Sequence, residues 1–85
     1  MTYKIAFKKS VSRDLKKIGK EQIERILSKI EENLVKTPKQ CPLLSGKFAG
    51  LRKLRVGDYR VIFTILDDTV LILRVSHRKE SYKKI

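Results

Sequence analysis

The stretch LRKLRVGDYRVIFTILDDTVLILRVS, residues 51–76, constrains this chain more than any other. Runs rich in Val, Ile, Leu, Tyr and Phe are broken by two short punctuations, Gly57-Asp58 and Asp67-Asp68. This pattern predicts three consecutive antiparallel strands over 51–56, 59–66 and 69–76. Glycine at the first central position of the first turn is the type II′ pattern. With two-residue loops the register follows: Val56 faces Tyr59, Arg55 faces Arg60, Leu54 faces Val61 and Lys53 faces Ile62. Across the second turn, Phe63 neighbours Ile72 and Arg60 neighbours Val75.

One face then collects Leu54, Val56, Tyr59, Val61, Phe63, Ile65, Val70 and Ile72, and needs cover. The other collects Lys53, Arg55, Arg60 and, at its end, His77, together with Ile62, Leu71, Leu73 and Val75. Arg74 lands on the apolar face opposite Val61. Either it snorkels at an edge, or the last strand is shifted by one residue.

The first half supplies the cover. Tyr3, Ile5 and Phe7 alternate with Lys4, Ala6 and Lys8, which reads as a strand. Ser10 is placed to cap a short helix with Val11, Leu15 and Ile18 on one side, ended by Gly19. A second helix carries Ile23, Ile26, Leu27, Ile30 and Leu34 at helical spacing, and Thr37-Pro38 stops it. The order β-α-α-β-β-β predicts an α+β fold. Two helices pack on one face of a small, mostly antiparallel sheet, with a short C-terminal tail. At 85 residues, 1–85 is expected to be a single domain.

Charge narrows the partners. Lys and Arg number 21 against 9 Asp and Glu, a formal net charge of +12. Such a surface attracts polyanions, nucleic acid first and an acidic protein second. No Lys-rich helix shows the aromatic opposite face of a membrane-surface helix, and no apolar run is long enough to span a bilayer. The opening MTYKIAFKKS is too polar for a signal peptide. A single cysteine, Cys41, allows no intrachain disulfide and fits a reducing cytoplasm. One His, one Cys and scattered acids form no metal-ligand set, so no metal or cofactor is expected.

Two features ask for a function. Like charges opposite each other across a sheet are destabilising, so Arg55 opposite Arg60 reads either as two splayed, solvated arginines or as a pair with an anion between them. Phosphate suits the guanidinium fork. The tail then follows the last apolar run with His77, Arg78, Lys79 and Tyr82.

The order of elements, the stretch LRKLRVGDYRVIFTI and the ending RVSHRKESY together resemble the RelE/ParE superfamily of toxins from toxin–antitoxin pairs. The Tyr-bearing tail looks more like the RelE branch. The resemblance implies a metal-independent endoribonuclease that cuts messenger RNA in the ribosomal A site, beside 16S rRNA. It also implies a RelB-like antitoxin, acidic or amphipathic.

By the resemblance, Arg60 contacts the scissile phosphate. Arg78 stabilises the transition state or protonates the leaving oxygen, and Tyr82 stacks on or orients a base. Lys53 matches the second of two strand lysines in the family pattern, whereas the first falls on Leu51 here. Arg55, Arg52 and Lys79 are expected to bind RNA phosphates. Cleavage needs a base for the 2′-OH, cations for the phosphorane and an acid for the 5′-oxygen. The base is Lys53 in its neutral form or His77, the residue type that titrates near neutrality. A gyrase inhibitor of the ParE kind and a catalytically degenerate toxin are the alternatives.

Overall fold

The computed structural model describes residues 2–44 and 50–77. The chain forms β1 (Lys4–Phe7), α1 (Lys9–Lys16), α2 (Lys20–Lys29), a π-helical turn (Ile30–Leu34) and a 3-10 turn (Pro38–Gln40). Then follow β2 (Arg52–Val56), β3 (Tyr59–Leu66) and β4 (Thr69–His77). The strands form one sheet in the order β1-β4-β3-β2. β1 runs parallel to β4 and the other pairs are antiparallel. This is the expected α+β architecture.

The helices cover one face. Val11, Ile26, Ile30 and Leu34 meet Val56, Val61, Phe63, Val70, Ile72 and Val75 in one core cluster. Ile26, Ile30 and Leu34 lie four residues apart and form one buried ridge, continued through the π-helical turn. Leu27, expected in that stripe, sits a third of a turn away and is exposed. Two capping expectations are corrected. Lys8 stands at the N-cap of α1, while the Ser10 hydroxyl donates to the Leu73 carbonyl at 2.7 Å. Gly19 does not end α1, which stops at Lys16; it is the extended N-cap residue of α2.

The first hairpin has the expected register, from Arg52↔Phe63 to Val56↔Tyr59. Gly57, at φ 59°, takes the left-handed conformation that its turn position requires. The second turn also falls where the sequence puts it, with Leu66↔Thr69 and Phe63↔Ile72 paired. Beyond that point the register shifts by one residue between Ile62 and Phe63. Leu73 is the extra residue of a β-bulge. Arg60 therefore faces Ser76, not Val75, and Val61 faces Val75.

The bulge flips every later side chain. Arg74 crosses to the face away from the helices, opposite Ile62, and Val75 turns into the core. His77 pairs with Tyr59 on the helix side. Its expected place beside Lys53, Arg55 and Arg60 is thus corrected. Ile62, expected on an open apolar surface, is fully buried, with Lys53 and Arg74 as its cross-strand neighbours.

The bulge is held from the sheet's side by α1. β1 accompanies β4 only as far as Phe7↔Ile72, where the Lys8 N–H donates to the Ile72 carbonyl at 2.9 Å. From there the outer edge of β4 is served by helix side chains one turn apart. Ser10 takes the Leu73 carbonyl, and the Asp14 carboxylate accepts the Val75 N–H at 2.9 Å. Asp14 also receives Arg74 in a two-pronged ion pair, Nε at 2.9 Å and Nη2 at 2.8 Å. Asp14 is the one buried charged residue among those described, and these three bonds satisfy it.

Candidate functional site: the basic face of the sheet

The two-residue Gly57-Asp58 turn makes Val56–Tyr59 the closing hydrogen-bonded pair, so Arg55–Arg60 and Lys53–Ile62 are non-hydrogen-bonded pairs. The outward Lys53 N–H, which donates to the Pro42 carbonyl at 3.2 Å, agrees with this. In such pairs the Cα atoms approach to about 4.5 Å and the side chains lie closest. Arg55 and Arg60 thus stand in the tightest cross-strand relation that a sheet offers, with Lys53 two residues from Arg55 on the same face. Arg55 is exposed, and Arg60 and Lys53 are half-buried.

Three basic residues on one small surface suit the binding of a phosphate. Arg74 shares the face, but Asp14 claims its guanidinium. The hydrogen bond to Asp14 holds the Arg74 pKa above its ordinary value, against a smaller opposing effect of burial.

Of the residues singled out from sequence, the structure brings Lys53, Arg55 and Arg60 together. Arg52 goes elsewhere. It lies on the Phe63 side of β2, and its Nη1 donates to the carbonyls of Lys39 at 3.0 Å and Cys41 at 2.8 Å. It anchors the 3-10 turn to the sheet. His77 lies edge-on to the Tyr59 ring, centroids 5.4 Å apart, beside Gln22 and Arg25 of α2. Arg78, Lys79 and Tyr82 lie outside the described residues.

Sequence reasoning did not find the Asp14–Arg74 pair. Its signal was the misfit of Arg74 with strict alternation. Nor did it find a cleft of about 310 Å³ where Asn33, Thr37 and Gln40 approach Lys53 and Arg55 at the β2 edge. Cys41 lines the same cleft, and burial pushes its thiol pKa up, partly offset by the charge of Arg52. Among the described residues no group of three or more His, Cys, Asp or Glu is placed to hold a metal ion. No helix there is long and apolar enough to cross a membrane.

The model of the ParE toxin family, toxins of type II toxin–antitoxin systems, matches residues 5–82. The chain belongs to the RelE/ParE toxin superfamily. Toxin RelG of Mycobacterium tuberculosis is 35% identical over 91 residues, spanning 99% of this chain and 100% of RelG.

Among solved structures, the toxin–antitoxin complex RelBE2 from Mycobacterium tuberculosis contains a chain that superimposes with a TM-score of 0.86. Its identity is 30%, over 94% of this chain and 95% of that one. The archaeal RelE–RelB complex from Pyrococcus horikoshii gives a TM-score of 0.68 at 30% identity, over 95% and 100% of the two chains. As a RelE/ParE member, the protein is a toxin of a type II toxin–antitoxin system.

Proposed function

We propose that this toxin is a ribosome-dependent, metal-independent endoribonuclease that cleaves messenger RNA in the A site and so inhibits translation. The observation that carries this reading is the Lys53, Arg55 and Arg60 cluster on the face of the sheet opposite the helices. In the reaction, the 2′-oxygen attacks the scissile phosphorus, the bond to the 5′-oxygen breaks, and a 2′,3′-cyclic phosphate and a 5′-hydroxyl result. Arg60, with Arg55, stabilises the charge that builds on the phosphorane. Lys53 is the group on this face able, when neutral, to take the 2′-hydroxyl proton. His77 is on the other side of the sheet, which favours Lys53 as the base. Arg78 donates to the leaving oxygen and Tyr82 orients a base, as the RelE resemblance implies.

A set this sparse in acid–base groups fits a reaction whose substrate is positioned by another body. Correct orientation alone contributes about 7–11 kcal/mol of barrier lowering. The ribosome is that body, which places the activity in the cytoplasm. A RelB-like antitoxin is the second partner, as solved toxin–antitoxin complexes of RelE relatives suggest. Acidic segments of it would cover the basic face, relieve the self-repulsion of a +12 chain and stabilise the toxin by mass action.

The test is to add the protein to a reconstituted translation reaction and map messenger ends by primer extension, with and without ribosomes. New ends within A-site codons that appear only with ribosomes support the reading; intact messenger and unimpaired translation sink it. A gyrase inhibitor of the same fold is the second reading, favoured by the ParE family model that matches the chain. It predicts stabilised gyrase cleavage complexes and intact messenger.

A further inference from the structure

We infer that the cleft between the π-helical turn and the edge of β2 is a nucleobase subsite that reads an adenine flanking the cleavage phosphate. This inference rests on the ribonuclease reading and gives it a sequence preference. The cleft encloses about 310 Å³, at the lower end of the range for small-molecule sites. Pro42 and Leu54 supply apolar wall against which a base can lie, and Lys53 and Arg55 border it. A base in this cleft is therefore contiguous with a phosphate on the basic face.

The polar groups suit a base edge. Asn33 uses one Nδ2 hydrogen on the Lys29 carbonyl at 2.9 Å, which leaves Oδ1 and the second hydrogen. The Thr37 hydroxyl donates to the Asn33 carbonyl at 3.2 Å and keeps its lone pairs. Gln40 is exposed and makes no side-chain hydrogen bond among the described residues. A carboxamide offers an acceptor and a donor side by side. That pair matches N6–H and N7 of adenine, and single-stranded RNA is read through such edges. Arg52 holds Gln40 in place, since its bonds to the Lys39 and Cys41 carbonyls flank that residue. On the β2 edge, the outward N–H after that of Lys53 belongs to Arg55, and it has no backbone acceptor among the described residues. It adds a main-chain donor at the cleft.

The decisive experiment uses short single-stranded RNAs made non-cleavable by 2′-O-methylation and differing at one base. Binding to the full chain is followed by fluorescence anisotropy. The wild type is expected to favour adenine by about 5-fold or more. Gln40→Ala should bring that preference to within about 2-fold, with Asn33→Ala as the second variant and thermal melting as the check on folding. Arg60→Ala should weaken all sequences alike.

Cys41 gives a readout without mutation. Adenine-containing RNA should slow its maleimide labelling, whereas inorganic phosphate should not. No base preference in the wild type, a preference unchanged in both variants, or protection by phosphate alone overturns the subsite. Adenine preference without messenger cleavage in the translation assay would leave the subsite standing and remove the ribonuclease reading.

Discussion

Arg74 and Arg60 stand on the same face of the same sheet, one on β4 and one on β3, and the chain uses them in opposite ways. Arg74 meets Asp14 in a two-pronged ion pair, and the same carboxylate takes the Val75 N–H. Its charge is neutralised inside the fold and it fixes the bulge of β4. Arg60 faces Arg55 in a close non-hydrogen-bonded pair, with Lys53 nearby. There the fold sets three basic residues on one surface. Residue type and strand position alone do not separate an arginine held in an ion pair from one proposed to bind phosphate. The difference lies in the neighbours: Asp14 reaches Arg74 from α1, whereas Arg55 stands opposite Arg60.

The largest expected effect breaks the structural side. Asp14→Ala leaves the Arg74 guanidinium without its carboxylate and the Val75 N–H without an acceptor. Removing one partner of a buried pair costs about 3–5 kcal/mol. Since a domain of this kind has about 5–15 kcal/mol in total, urea denaturation should show a large fall in midpoint. A change under about 1 kcal/mol would mean that the pair does not hold the bulge.

Next comes the proposed phosphate-binding side. Arg60→Ala should lower messenger cleavage about 100-fold or more, the loss that follows removal of one donor to a developing oxyanion. The melting temperature should stay close to wild type. Loss of fold together with activity would erase the contrast with Arg74.

Arg52→Ala sharpens the comparison on the other face of β2. Losing its two bonds to loop carbonyls should cost about 1–2 kcal/mol in a denaturant titration. The salt dependence of RNA binding should stay as it was. Arg55→Ala should do the reverse. It should leave stability near wild type and lower the slope of log affinity against log salt by about 0.7, one phosphate contact on a single strand. Equal slopes for the two variants would put both arginines in the same role.

Much of this was legible in the sequence. The alternation around GDYR, with a two-residue turn, is enough to place Arg55 opposite Arg60. The stripe Ile26, Ile30 and Leu34 gives the helical cover, because burial selects every fourth residue of a helix facing a sheet. What stayed hidden depends on contacts distant in sequence. The bulge at Leu73 is stabilised by Ser10 and Asp14, some 60 residues earlier, and no local pattern within β4 announces it. A single inserted residue then moves His77 to the opposite face, so a histidine beside an arginine-rich strand can look catalytic in sequence and lie elsewhere in space. Arg52 misled for a similar reason. Its partners are carbonyls in a loop, and carbonyls leave no mark in a sequence.

The most direct test of the division between the two faces is the rate of messenger cleavage in a reconstituted translation reaction by wild type, Lys53→Met and His77→Gln. If the chemistry belongs to the Lys53, Arg55 and Arg60 face, Lys53→Met falls by about 100-fold or more while His77→Gln stays within a few-fold of wild type. The reverse order, or intact messenger with the wild-type protein itself, would contradict it.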